Sequence, residues 1–512
     1  IVFFIAFIPL IVQELTERGL WKATTRFFHH LISLSPFFEV FVCQIYATSL
    51  IQDVTFGGAK YISTGRGFAV SRIQFFYLYS KFSSQSIYSG SKLFLMLLFA
   101  TMTIWQPALL WFWITLISMC LAPFIFNPHQ FSFYDYFIDY RDFIHWLSRG
   151  NSKWHANSWI GTVRQARARY TGYKKKIIGH ESEKMAAGDQ RKSTFNDTYL
   201  TELIIPFFIS VFLFFAYTFI NAQNGVKMVR PTNSVLRLII LTLFPIVVNM
   251  VTLLVIFAIS FVLGPILRNM CCIKKTPSTL AALAHMVSVF VHLITFELIW
   301  FLEGWNFSRS LACILCIINI QNFIFKAVVI LVLSRELKHD KINRSWWSGS
   351  WFQKAVGWTF ITQPLREYIV KIIEMTLFAV DFILGHCLLF VQTIFVFIPY
   401  IDRWHTMTLF WLSPKKQIRG RVLTKAQRRR RTFIVMRYFV LYFLILALFL
   451  ALLIVPVFTA GFLPKLDDKL AGTPLEGLIQ PNGQDNDDTG TRAPSTIVTT
   501  TGVHPLIKTV IW

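Results

Sequence analysis

Tyr438-Phe-Val-Leu-Tyr-Phe-Leu-Ile-Leu-Ala-Leu-Phe-Leu-Ala-Leu-Leu-Ile-Val-Pro-Val-Phe-Thr-Ala460 contains no charged residue, and four consecutive arginines stand at 428–431 just before it. About 20 apolar residues in a helix cross the hydrocarbon core of a bilayer. Basic residues at a helix end mark the cytosolic side. The pair predicts a membrane helix that starts in the cytosol. Working outward, comparable apolar runs stand at 203–220, 238–264, 280–300 and 311–333, and at 93–126 with a kink at Pro107. The run 371–399 is also apolar but holds Glu374, Asp381 and His386. With a partial helix at the start, the count is about seven or eight spans. Residues 13–92 carry charge too often to span and read as interfacial or re-entrant helices.

Composition agrees. Of 512 residues, 54% are hydrophobic and 15% charged, against roughly 25% charged in a soluble domain, which excludes an ordinary cytosolic globule. Fifty Lys+Arg against 26 Asp+Glu give a net charge of +24. These basic residues lie between apolar segments rather than on one compact domain, so they suit membrane flanks and not nucleic acid. The apolar run from Ile1 lacks a basic n-region and does not read as a signal peptide. It reads as a helix cut in mid-course, so the chain is expected to be a fragment.

The fold class expected is all-α: a polytopic transmembrane helical bundle with interfacial or amphipathic helices and a disordered acidic C-terminal tail. The divisions are 1–92, a partial transmembrane helix plus interfacial helices; 93–126, a transmembrane helix; 127–201, a basic cytosolic loop; and 202–333, transmembrane helices. After them come 334–435, a cytosolic or interfacial segment with apolar 371–399; 436–460, a transmembrane helix; and 461–512, the disordered tail. Twelve Lys/Arg in 127–201 and ten in 399–436 place both segments in the cytosol. A single pass at 371–399 would carry 428–431 outside. Either 371–399 dips in and returns along the interface, which its ionisable residues favour, or an earlier segment does not span.

Catalytic motifs are sparse. No phosphate loop, HExxH, GxSxG or paired-cysteine metal site occurs, and no metal is expected. Cys313-x-x-Cys316 falls inside an apolar helix and reads as packing. Thr64-Gly-Arg-Gly-Phe68 allows a tight turn that presents a guanidinium, although a simple turn before an interfacial helix fits as well. Arg72, Tyr77 and Tyr79 follow in a basic-aromatic stretch that could steer a sugar or form an aromatic belt. His285, His292 and Glu297 are intramembrane polar candidates for pore lining or interhelical hydrogen bonding. Asp135, Asp139 and Asp142 share one helix face and read as charges on a solvated cytosolic surface. From the residues alone, transporter, channel, lipid enzyme and synthase subunit stay open, with a transporter or scramblase and a non-catalytic structural membrane subunit as the competing readings.

Several longer strings resemble one family. They are Gly57-Gly-Ala-Lys-Tyr-Ile-Ser-Thr-Gly-Arg-Gly-Phe68, Ala122-Pro-Phe-Ile-Phe-Asn-Pro-His-Gln130, Asp139-Tyr-Arg-Asp142, Trp146-Leu-Ser-Arg-Gly-Asn151, Asn157-Ser-Trp-Ile-Gly161 and Phe219-Ile-Asn-Ala-Gln223. They look like the C-terminal membrane region of fungal 1,3-β-D-glucan synthase catalytic subunits, glycosyltransferase family 48, with callose synthases as plant relatives. The resemblance implies an enzyme that takes UDP-glucose at the cytosolic face and passes linear β-1,3-glucan through its own helices to the cell wall. It further implies a multi-pass protein of the plasma membrane, activated by a Rho-type GTPase and touching membrane lipids. Catalytic residues are expected upstream of Ile1 and none in this chain, which alone would be inactive; no cofactor is expected beyond the donor UDP-glucose. Candidates for the glucan path and its mouth are Arg66, Phe68, Arg72, Tyr77, Tyr79, Trp105, Trp111 and Trp113.

Overall fold

The computed structural model describes residues 2–56, 72–104, 106–149, 157–170, 198–219, 233–269, 276–333, 343–349, 357–410 and 423–459, with positions 469, 473 and 478. Among them the regular structure is helical throughout. In chain order the helices are α1 (Val2–Arg18), α2 (Leu20–Ile32), α3 (Ser35–Phe56), α4 (Phe75–Phe82), α5 (Tyr88–Thr103), α6 (Leu109–Ile125), α7 (Phe133–Ser148) and α8 (Trp159–Tyr170). There follow α9 (Ile205–Phe219), α10 (Ser234–Asn269), α11 (Thr276–Leu302), α12 (Phe307–Ala327), α13 (Asn343–Trp347), α14 (Thr359–Val396), α15 (Ile401–Phe410) and α16 (Lys425–Thr459). Six of the described helices are long and apolar enough to cross a membrane, or up to seven if the bent pair α2 and α3 forms one span.

Helices α9 to α12 make the first packing unit. Tyr217, Leu241, Ile299, Cys313 and Cys316 close its core, so the two cysteines pack as small apolar groups. At one end, Glu303 accepts from Tyr217, Arg237 and Arg309, all buried. Large apolar side chains such as Phe208, Phe212 and Phe261 stay exposed, as lipid-facing residues do.

The run 93–126, expected as one kinked span, is two helices. Pro107 has no N–H to give and biases Gln106 away from helix, and the chain breaks between Thr103 and Leu109. The halves fold back: Trp113 Nε1 donates to Thr101 Oγ1 at 3.1 Å. Gly90 permits the contact, because a Cβ there would lie 2.5 Å from Cys120 Sγ.

The run 371–399, expected to dip and return, lies mostly within one continuous helix, the 38-residue α14. No Pro or Gly pair interrupts it where a reversal would need one. Its ionisable residues are covered by protein instead, since more than half of its apolar window is buried, the largest share among the six. Gly385 faces Phe143, and a Cβ would stand 2.3 Å from that ring's Cζ. Phe143 is fully buried and hemmed in by Phe75, Tyr79, Trp146 and His386. Gly385→Ala is expected to lower stability by about 1–3 kcal/mol through overpacking. Thermal unfolding in detergent checks this, and an unchanged midpoint refutes it.

The tail expected to be disordered is held at Leu478. The Leu478 carbonyl accepts from Arg237 Nε at 2.5 Å, and its side chain packs on the α9–α12 core.

Candidate functional site

Lys371, Glu374, Phe378, Asp381, Gly385, Leu389 and Gln392 recur at three- and four-residue spacing, so they share one face of α14. This face is a buried polar seam, and side chains from seven other segments end on it. At its centre, Asp381 accepts from Tyr79 Oη at 2.9 Å, Tyr88 Oη at 2.5 Å and Trp159 Nε1 at 2.6 Å. Asp381, Tyr79 and Trp159 are buried. A carboxylate with three donors is a satisfied buried charge, and it binds α4, α5 and the first residue of α8 to one point.

Further along, α7 runs beside the seam. Tyr136 Oη donates to the Leu389 carbonyl at 2.5 Å. His386 Nδ1 lies 2.7 Å from the Phe382 carbonyl, which only accepts, so that nitrogen carries the proton. Nε2 then accepts from Tyr140 Oη at 3.3 Å. Gln130 Nε2 donates to Gln392 Oε1 at 2.9 Å, and Thr393 bonds Tyr442 of α16. On the other side, Lys371, Arg164 and Arg167 surround Glu374. Most of the seam is therefore covered by residues 130–167, from the basic segment between α6 and α9.

Arg72, just before α4, holds this assembly. Its two Nη groups donate to Asp139 at 2.9 and 2.7 Å, its Nε donates to the His129 carbonyl at 3.1 Å, and Phe75 N–H completes the carboxylate at 3.2 Å. Burial pushes the Asp139 carboxyl up to about 6, with the Arg72 fork opposing the rise. Burial likewise raises the Tyr79 phenol well above its ordinary value, assisted by the Asp381 charge, so Tyr79 stays a donor. The acidic face read as solvated is thus a docking face. Asp139 is 1% exposed, Asp135 pairs with Arg431, and Asp142 takes Arg141 and Gln74. Spacing alone did not reveal this, because the partners lie 67 and 296 positions away.

The other expected residues scatter. Arg66, Phe68 and Trp105 lie outside the described residues. Tyr77 is exposed on α4, Trp111 points outward from α6, and Trp113 clips the α5–α6 hairpin. His285 is buried with its ring stacked on Phe378 at 4.6 Å, and Trp159 stands 5.6 Å away. His292 Nδ1 bonds its own helix at Ser288 O, 2.7 Å away, and Glu297 is half-buried further along α11. These three do not converge. Sequence reasoning passed over Trp159, Tyr88 and Arg164 as site residues, although Glu374 and Asp381 on an apolar run were the available signal that buried partners were needed.

A family model described as 1,3-beta-glucan synthase component matches residues 1–267. The chain is 52% identical over 511 residues, 100% of its length, to the 1,3-beta-glucan synthase component FKS3 of Saccharomyces cerevisiae, of which it covers 28%. It is 47% identical over 493 residues to the component FKS1 of Aspergillus niger, covering 96% of this chain and 25% of that one. For the component bgs2 of Schizosaccharomyces pombe the identity is 48% over 497 residues, 96% of this chain and 26% of the relative. The chain thus spans about a quarter of the length of the curated relatives it matches.

Proposed function

Because the chain belongs to the 1,3-beta-glucan synthase component family, we propose that it is the membrane part of a 1,3-β-D-glucan synthase. The whole protein, on this reading, polymerises glucose from UDP-glucose at the cytosolic face and extrudes linear β-1,3-glucan across the plasma membrane. The observation that carries the reading is identity of 52% along the chain's full length to a relative of that name. Six helices able to cross a membrane give it a physical basis. A polyhydroxyl chain crosses hydrocarbon only along a lined route, since each unpaired hydroxyl costs several kcal/mol there.

The seam on α14 serves this function as a clamp. From Asp381 to His386 its polar side chains are committed to protein partners, so it holds α4, α7 and α8 against the spanning helices rather than touching sugar. The clamp fixes Arg72, the residue that follows 57–71 in the sequence. Arg66 and Phe68 in that segment are the proposed mouth of the glucan path. Regulation by a Rho-type GTPase belongs to the same proposal. So do anionic lipids, whose headgroups suit the open groove of Lys425, Arg429, Arg430 and Phe433 at the start of α16.

The test is incorporation of radiolabelled UDP-glucose into glucanase-sensitive polymer by membranes that carry the complete native gene product. Product above a matched deletion strain is the expected result, and none overturns the reading. Within that assay, Arg66→Ala is expected to lower output roughly tenfold, the loss of one charge-assisted contact, while protein level stays normal. Normal output from the well-expressed variant removes Arg66 from the mouth.

A further inference from the structure

Among the described residues, two clusters place two buried arginines on one glutamate, and they differ in how the arginines are completed. Around Glu303 the surplus donors are seated: Arg237 Nε reaches the Leu478 carbonyl, and an Arg309 Nη reaches Ser234 Oγ at 3.2 Å. Around Glu374 they are not. Lys371 Nζ already occupies Oε2 at 2.8 Å. Arg164 Nε and Arg167 Nη1 then share Oε1 at 3.2 and 3.3 Å. Arg164 Nη1 and Arg167 Nε are left buried with no acceptor.

Exposure sharpens the contrast with an ordinary surface arginine. The Arg164, Arg167, Lys371 and Glu374 side chains are 2%, 6%, 1% and 1% exposed. An N–H in water bonds water, whereas a buried one without an acceptor carries its full desolvation penalty. On the same flank, both ring nitrogens of buried His285 also lack a partner. The junction is rich in donors and short of acceptors, and three cations meet one carboxylate. Glu367, two turns before Glu374, acts on Arg167 and Lys371 only through its charge at a distance and forms no ion pair with either guanidinium among the described residues. The complementary ligand is a compact anion with more oxygens than a carboxylate.

We infer that the junction of α8 and α14, at Arg164, Arg167 and Lys371, binds a phosphate-class oxyanion. A tetrahedral phosphate offers one oxygen edge to each arginine and keeps acceptor capacity for Lys371, replacing or joining Glu374 as their partner. The phosphate could be a phosphomonoester headgroup of a lipid or a soluble phosphate compound, the recognition chemistry being the same. Glu374 is then the resident competitor that holds the site together when it is empty. The inference stands on this geometry and does not depend on the glucan synthase reading.

The experiment uses the complete native protein in lipid-free maltoside, with thermal unfolding followed during titration. One arm adds inorganic phosphate and the other adds phosphatidic acid in mixed micelles. Saturable stabilisation is expected in one arm, which identifies the source; none in either arm overturns the proposal. The double variant R164Q/R167Q is expected to weaken the effective arm about tenfold or more. Glu374→Gln decides the matter independently of that variant's folding. Removing the competing carboxylate is expected to tighten phosphate binding. If the arginines serve only to neutralise Glu374, that substitution leaves binding unchanged or weaker, and the proposal fails.

Discussion

Asp381→Ala is expected to destabilise the protein by at least about 3 kcal/mol, taking roughly 1 kcal/mol for each of three donors left without an acceptor. Tyr79, Tyr88 and Trp159 belong to three segments that converge on this carboxylate, so the loss also frees α4 and α8 from α14. Asp381→Asn is expected to fall between, because its amide keeps one acceptor oxygen and turns an NH2 toward a donor. Thermal unfolding followed with a thiol-reactive dye reads both variants in a background with the exposed Cys43 and Cys387 replaced by serine, since Cys313 and Cys316 are fully buried and react only on opening. An Asp381→Ala midpoint equal to wild type would show that the seam does not hold these helices. Tyr79→Phe in that background adds little if the pair acts through this hydrogen bond.

The second large effect is expected from Arg72→Ala, about 3–5 kcal/mol, because it leaves Asp139 buried without its cation. Its pH dependence identifies the cause. The folded Asp139 carboxyl takes its proton near pH 6, whereas an unfolded one does so near 3.8. The folded state therefore binds more protons in that window, and the contribution of this group to stability rises as pH falls from about 6 toward 3.8. In Arg72→Ala the carboxylate has lost its opposing fork, so acid relieves more of the penalty. The gap between variant and wild type is expected to narrow from pH 7.5 to pH 5.5. A gap that stays constant assigns the loss to packing of the Arg72 stem instead. The double variant Arg72→Ala with Asp139→Asn is expected to recover part of the stability at pH 7.5, which a purely steric loss does not allow.

The contrast with Arg66→Ala is informative. Arg72 is a positioning residue bound to Asp139 and to the His129 carbonyl, so its loss acts through stability. Arg66 is proposed for the mouth, so its loss is expected to act on product yield at normal protein level. One assay of expression and one of glucan output separate the two roles.

Composition and apolar run length determined by themselves that this is a multi-pass helical membrane protein. Both depend only on the number of consecutive residues that avoid charge. The 438–460 run illustrates this, because α16 carries it as one uninterrupted helix from Lys425 to Thr459. Local chemistry was legible where it acts on neighbours, and Pro107 was recognised as a point of deformation. That the chain folds back there depends on Trp113 meeting Thr101, a contact that a kink alone does not specify.

Only the tertiary structure decided what the charges do. Glu374, Asp381 and His386 looked like obstacles to a buried helix, yet α14 is the most enclosed of the long helices because Arg164, Trp159, Tyr79 and Tyr140 reach them from far along the chain. Asp139 looked solvated because its i−4 and i+3 neighbours are acidic, yet its cation lies 67 residues earlier. Hydropathy is a sum over single residues and is fixed once the sequence is written. Charge satisfaction is a property of pairs, and a pair separated by hundreds of residues exists only after the helices have packed.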